Sequence, residues 1–237
     1  MKKIVILTGS NGSFGRFLSE KLINNENILP ILITSKKTKK KNYFQLDLKK
    51  KDAIKNFFSF IKKKYGEPDI LINNAAVNTK RGFSDFLKNS NDKRILDTYF
   101  VNSISSIFFI KFFLNFVSNK KTKEKKVINM LTRHAIWGNK RHVDYYSSKS
   151  ALYNATRTLA RDYKNFIFVN LMLGPIGYKK NNCSPNIIWN EINKFIFTKQ
   201  QNNYKEIYFE NFFIFIKRLI INLINNFKSI RLISSKK

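Results

Sequence analysis

A short apolar run that breaks directly into three glycines within seven residues, K-I-V-I-L-T-G-S-N-G-S-F-G over residues 3–15, constrains the fold more than anything else in the chain. A buried strand that turns sharply into a helix needs positions without a Cβ, so that backbone can lie against backbone. The same turn lets the chain approach a pyrophosphate, and the helix N-terminus after it presents unpaired N–H groups and partial positive charge. A ligand-free strand–helix junction is the plainer alternative, but this context favours the phosphate cradle. Gly9, Asn11, Gly12, Phe14 and Gly15 are its candidate residues.

The rest of the chain alternates short apolar runs with longer amphipathic stretches, the mark of βαβ units and a parallel sheet. Expected strands are Ile4–Thr8, Leu29–Thr34, Asp69–Asn73, Val127–Leu131 and Phe166–Leu171. Expected helices are Phe14–Asn24, Ala53–Lys64, Ile95–Val117 and Tyr145–Tyr163, with a lysine-rich turn at Asn119–Lys126. Beyond Gly174 the pattern loosens until a helix near Glu206–Asn225 and a last strand at Ser229–Ser234. With no internal repeat or linker, the whole chain, 1–237, reads as a single α/β domain. It is expected to be a Rossmann-like, doubly wound parallel sheet in three α/β/α layers.

Composition narrows the function classes. Hydrophobic residues make up 43%, which argues against disorder. The formal net charge of +30 raises the question of a polyanionic partner. Its lysines are spread along the whole chain rather than interleaved with stacking aromatics in one patch, so no specific nucleic-acid partner is expected. The single cysteine, Cys183, excludes a disulfide within the chain and fits a reducing compartment. Met1-Lys2-Lys3 before I-V-I-L mimics a signal peptide, but the apolar run ends at Thr8-Gly9. No uncharged apolar stretch reaches about 18 residues, so no membrane span is expected and the location is expected to be cytoplasmic. His134 and His142 lack partners at metal-ligand spacing, and no metal site is expected.

After the second expected strand comes T-S-K-K-T-K-K-K, without an acid. An acid there would bind the ribose 2′-hydroxyl of NAD and repel a 2′-phosphate. Ser35 and Lys36 offer a hydroxyl and a cation instead, so NADP is the expected cofactor and NAD the alternative. The alternative source of these lysines is the chain-wide excess.

Tyr145 and Lys149 stand four apart in Y-Y-S-S-K, on one face of an expected helix. A phenol has an ordinary pKa of about 10, and a neighbouring cation would lower it, making proton exchange with a substrate oxygen easier. Tyr146 is a weaker rival. On its own such a pair is usually only a helix face.

Glycine turn, Tyr/Lys pair and V-I-N-M-L-T together resemble the short-chain dehydrogenase/reductase family over nearly the whole chain. That resemblance implies a nicotinamide-dependent oxidoreductase acting on a small carbonyl or alcohol substrate, with Tyr145 as general acid/base. Lys149 would assist it and reach the nicotinamide ribose. Thr132 would stand for the family serine, and Asn102, in Y-F-V-N-S, for the helix asparagine that holds a water in the proton relay. In F-Q-L-D-L, Asp47 would contact the adenine and Leu48 line its pocket. Asn74 and Ala75, in N-N-A-A, would pack beside the cofactor, and Pro175 and Ile176 would line the nicotinamide pocket.

The pattern also departs from the family. The middle glycine falls one residue early, at Gly12, and Gly174-Pro175 replaces a Pro-Gly pair. Residues 177–204 occupy the place of the substrate lid and read as an irregular, asparagine- and lysine-rich segment. A non-catalytic cofactor-binding regulator or scaffold on the same fold is the alternative, and it would need neither Tyr145 nor Lys149. Ile104, Ile107, Phe108, Ile110, Phe112 and Phe113 make one helix apolar all round, so a homodimer or homotetramer is expected on that helix and the one carrying Tyr145.

Overall fold

Seven parallel strands form one sheet in the order β3-β2-β1-β4-β5-β6-β7. The computed structural model describes residues 2–78, 92–116, 125–140, 142–179 and 182–210, with eight scattered positions between 213 and 224. The strands are β1 (Lys3–Thr8), β2 (Ile28–Thr34), β3 (Tyr43–Gln45), β4 (Ile70–Asn73), β5 (Lys126–Thr132), β6 (Ile167–Leu173) and β7 (Tyr204–Tyr208). The helices are α1 (Ser13–Ile23), α2 (Lys51–Tyr65), α3 (Asp92–Tyr99), α4 (Ser105–Phe116), α5 (His134–Trp137), α6 (Val143–Asp162) and α7 (Pro185–Phe197).

Every residue of β5 and β6 is buried, as expected for strands covered on both faces. Alternate side chains divide into two cores. On one face Val5, Leu7, Ile72 and Val169 pack with Leu18 and Leu22 of α1 and Ile188 and Ile192 of α7. On the other, Ile6, Ile33 and Leu71 pack with Phe58 of α2, Phe113 of α4 and Leu152 of α6. Each such side chain contributes about 1.5–3 kcal/mol when fully buried.

Two polar devices sit inside this apolar frame. Asn73, Asn129 and Asn170 are in register on β4, β5 and β6. Asn73 donates to Asn129 at 2.8 Å, and Asn129 donates to Asn170 at 3.1 Å and to Thr156 of α6 at 3.0 Å. These bonds satisfy the Asn129 amide and the acceptor of Asn170, while Asn73 Oδ1 is left without a partner among the described residues. At the other end of β5 the buried ammonium of Lys126 donates to the carbonyls of Phe195, Ile196 and Thr198, closing the C-terminus of α7.

Several expectations are corrected here. The segment 177–204 is not irregular throughout: Pro185–Phe197 is a helix, with Pro185 in its first turn after Ser184. The expected helix near Glu206 does not begin there, because Tyr204–Tyr208 is the edge strand β7, parallel to β6. The three-residue strand β3 was not foreseen. The helix expected over Ile95–Val117 is interrupted by a π-helical turn at Phe100–Ile104. The turn Asn119–Lys126 lies mostly outside the described residues, as does the strand Ser229–Ser234.

Lys93–Asn115, of mean hydropathy 1.2, is the one helix among the described residues long and apolar enough to cross a membrane. Less than half of it, 44%, is buried within the chain. Phe109 packs on Phe57 and Phe58 of α2, and Phe112 on Phe58. Ile104 keeps 37% of its surface exposed.

Candidate active site

The glycine turn is dictated by the packing of the chain on itself. Gly9 has φ +69°, and a Cβ there would lie 2.7 Å from the Cα of Ala75. A Cβ on Gly15 would lie 2.0 Å from the carbonyl oxygen of Gly9. Gly12 is less constrained, with φ −65° and 3.4 Å to the nearest atom. The Thr8 hydroxyl accepts from the backbone N–H groups of Asn74 and Ala75, both at 3.0 Å. The Asn74 amide donates back to the carbonyls of Thr8 and Gly9, at 3.0 and 3.2 Å. The turns after β1 and β4 are thereby one unit, with α1 opening from it.

Between these turns and α6 lies a cleft of about 1530 Å³. Its lining takes in Gly9, Gly12, Phe14 and Gly15, then Ser35, Asp47, Leu48, Asn74 and Ala75, then Thr132, Tyr145, Lys149, Pro175 and Ile176. It is larger than a pocket for one small ligand, typically 300–1,000 Å³. A turn that excludes a Cβ at Gly9 and Gly15, opening a helix at one end of such a cleft, fits a dinucleotide.

Three sequence-predicted residues are not in the lining. The Asn11 amide donates instead to the Thr34 hydroxyl at 3.0 Å, latching the glycine turn to the end of β2. Lys36 uses its backbone N–H on the same hydroxyl, at 3.1 Å. Asn102, at the centre of the π-helical turn, clamps Val77 from both sides. Its Oδ1 accepts from the Val77 N–H at 2.7 Å, while its Nδ2 donates to the Val77 carbonyl and to the Ser148 hydroxyl, both at 3.0 Å. The asparagine thus joins the segment after β4 to α6, and the wider turn is what admits its side chain to both.

Parallel strands bring Thr132, at the end of β5, beside the first turns of α6. Thr132 is buried, and its hydroxyl accepts from the His134 N–H at 3.4 Å. Lys149 is fully buried, and its ammonium donates to the Met130 carbonyl at 2.8 Å. Burial lowers the Lys149 pKa from 10.5 to about 8. The expected lowering of the Tyr145 pKa is corrected. Burial, which desolvates the phenolate, and then the neighbouring Tyr146 push it up to about 12.

Arg133, Asn139 and Tyr178, which the sequence motifs do not single out, line the cleft, as do His134, His142 and Tyr146. Strand alternation would send Arg133 to the face opposite Thr132, but the strand ends there and the chain turns. The Arg133 guanidinium pairs with Glu210 at 3.2 Å, and Glu210 is 6% exposed. Next to it the Cys183 thiol accepts from the Gly174 N–H at 3.2 Å and donates to the Phe209 carbonyl at 3.3 Å. These contacts tie the segment after β7 to the floor of the cleft. Among the described residues no three His, Cys, Asp or Glu side chains gather to hold a metal.

Comparison with known proteins agrees with this geometry. The chain is 28% identical over 214 residues to a 3-oxoacyl-[acyl-carrier-protein] reductase of Buchnera aphidicola, a match covering 86% of this chain and 80% of that one. It superposes on a 4-hydroxyisoleucine dehydrogenase solved with NADH, with a TM-score of 0.74, 20% identity, and coverage of 88% of this chain and 97% of that one. An alcohol dehydrogenase from Thermococcus sibiricus, solved with 5-hydroxy-NADP, also gives a TM-score of 0.74, at 14% identity over 88% of this chain and 96% of that one. The family model for short chain dehydrogenases matches residues 3–176, well over half the chain. The chain belongs to the short-chain dehydrogenase family of oxidoreductases.

Proposed function

We propose that the chain is an NADP-preferring oxidoreductase that reduces the carbonyl of a small molecule, or oxidises the matching alcohol, with Tyr145 as general acid/base. One observation carries this reading: Tyr145, Lys149 and Thr132 converge in the cleft that begins at the glycine turn. The nicotinamide cofactor, when bound, supplies or accepts the hydride. Gly9, Gly12 and the N-terminus of α1 would hold its phosphates.

The Thr132 hydroxyl donates to the substrate oxygen and fixes it beside Tyr145. The phenol, pushed up to about 12, carries its proton at neutral pH and gives it to the oxygen as negative charge develops there. Lys149 is mostly ammonium at that pH and stabilises the phenolate left behind. Asn102 positions α6 through Ser148, one residue from Lys149.

The absence of an acid after β2, with Ser35 on the cleft wall, supports NADP over NAD. We read the whole chain as one domain, with 177–204 beside the mouth of the cleft, working in the cytoplasm as a dimer or tetramer. Sedimentation of the purified protein tests the assembly. A screen of carbonyl compounds with NADPH and NADH, following the absorbance of the reduced cofactor, tests the activity. No consumption of either cofactor with any aldehyde, ketone or oxo ester would overturn the reading.

A further inference from the structure

The even spread of lysines along the sequence does not survive folding. Residues 36–64 carry twelve lysines against Asp47 and Asp52, a net +10 of the chain's +30. All twelve are exposed, and only Lys49 lines the cleft. Among the described residues two of them are in ion pairs, Lys49 with Asp97 at 2.9 Å and Lys62 with Glu67 at 3.4 Å. A surplus of cations that the nucleotide pocket does not use calls for another anion.

Three elements bring these cations to one edge of the sheet. The loop 36–41 is shaped by Thr38, whose hydroxyl accepts from the Lys40 N–H at 3.2 Å, and it runs into the edge strand β3. Phe44 of β3 meets Phe60 and Tyr65 of α2 edge to face, at 6.0 and 6.2 Å between centroids. The loop lysines are thereby carried to the end of α2 that bears Lys62, Lys63 and Lys64. Lys64 sets its ammonium 5.5 Å from the Phe60 centroid and 5.2 Å from that of Tyr65. Phe60 keeps 45% of its surface exposed. Cations and aromatic rings thus share one open face, the pattern that the linear sequence does not display.

That combination selects among partners. A second copy of the chain would set like charges against each other. A lipid surface takes up an apolar stripe, and α2 turns Ile54, Phe57, Phe58 and Ile61 inward. A strand of nucleotides offers both phosphates for the ammonium groups and flat bases for the exposed rings. Lysines are point charges without the fixed fork that reads base edges, so no sequence preference follows. We propose that the β3 edge of the sheet binds single-stranded nucleic acid without sequence preference. Its phosphates lie on the lysines of the 36–41 loop and the end of α2, and its bases on Phe60 and Tyr65. All of these side chains lie outside the lining of the cofactor cleft, and the inference is independent of the oxidoreductase reading.

Fluorescence anisotropy of labelled oligo(dT), titrated with the full chain in saturating NADPH over a range of KCl concentrations, tests it. The Kd is expected at about 1–100 μM near physiological salt. The association constant should fall with salt at a log–log slope of about −3 or steeper, as about four neutralised phosphates require. The combined variant Lys40→Gln/Lys41→Gln/Lys63→Gln/Lys64→Gln should weaken binding about tenfold or more and make the slope shallower by about 2–3. Replacing four exposed lysines elsewhere, Lys2, Lys164, Lys194 and Lys199, by Gln lowers the net charge equally and should change the Kd by less than about threefold. Phe60→Leu keeps an apolar side chain against Phe44 but offers no flat face, so it should weaken binding about fivefold. Equal losses in the two four-lysine variants would reduce the effect to bulk charge, and an unchanged Kd in Phe60→Leu would remove the stacked bases; either result overturns the proposal. So would oligo(dT) that binds only when NADPH is left out, which would put the strand in the cleft, or binding of phosphatidylserine vesicles without binding of oligo(dT).

Discussion

Lys149 Nζ stands 2.8 Å from the carbonyl oxygen of Met130, two residues before Thr132 on the same strand. The contact ties α6 to β5 at the point where the two elements bring the phenol and the threonine hydroxyl together. It also leaves an ammonium fully buried, with a single backbone carbonyl as its recorded partner.

Replacing Tyr145 by Phe is expected to lower kcat by about 10²–10⁴-fold while changing the cofactor Kd by no more than about twofold. In the proposed role the phenol acts only when a proton moves, so its loss would remove transition-state stabilisation and not affinity. Steady-state kinetics with fluorescence titration of NADPH decide the matter. A kcat within about threefold of the parent rejects the role.

The buried ammonium makes a pH-dependent contribution to stability. Below about pH 8 Lys149 is charged in both states, and the whole desolvation cost weighs on the folded one. Between about 8 and 10.5 the folded state has lost the proton while the unfolded chain keeps it, so raising the pH favours folding. Tyr145 acts in the opposite sense, but only from about 10 to 12. The stability difference between the parent and Lys149→Met should therefore move in favour of the parent by about 2–3 kcal/mol from about pH 7 to pH 10. Urea denaturation of both proteins at the two pH values measures it. A difference that stays constant would show that burial does not shift this lysine.

The glycines of the turn should differ sharply in tolerance. Gly9→Ala combines a left-handed residue with a 2.7 Å approach to Ala75, and is expected to cost roughly 2–5 kcal/mol. Gly12→Ala meets its nearest atom at 3.4 Å with an ordinary φ, and should stay within about 1 kcal/mol. Thermal melts of the two variants check the order, and equal losses would contradict the packing described for the turn.

Cofactor choice should respond to Ser35 more than to Lys36, since only Ser35 lines the cleft. NADPH is expected to bind about tenfold or more tightly than NADH. Ser35→Asp should reverse that order, because the new carboxylate would repel a 2′-phosphate and accept from a 2′-hydroxyl. Lys36→Glu should shift it less. Equilibrium titration of both reduced cofactors at physiological salt tests this, and equal affinities in the parent would refute the preference.

The elements legible in the sequence are those buried on both faces. Runs such as I-V-I-L, I-L-I-N and V-I-N-M-L allow no other placement in a chain that alternates strand and helix. What escaped had a weaker local pattern. Strand β3 is only Tyr43–Gln45 and half-exposed, so its pairing with β2 is decided by the sheet edge. Helix α7 was hidden by the polar residues around it, although Ser184-Pro185 is a helix start and Ile188, Ile192, Phe195 and Ile196 share a face. Strand β7 follows Y-K-E-I-Y, which is too polar to announce itself. Its Glu206 accepts from the phenols of Tyr153, Tyr204 and Tyr208, a cluster that no linear pattern reveals. At the cleft, the residue types at Tyr145, Lys149 and Thr132 were readable because their chemistry depends on spacing. The direction of the Tyr145 shift was not, since it depends on how deeply α6 is covered.

The contacts at the floor of the cleft carry a consequence for biosynthesis. Arg133 is matched by Glu210, 77 positions later in the chain, and Cys183 by Phe209, so the floor of the pocket is finished by residues translated well after Thr132. A nascent chain that has already assembled its glycine turn and α6 must still wait for β7 to leave the ribosome. Until then the arginine stands without its carboxylate, and the cleft lacks the contacts that close its floor.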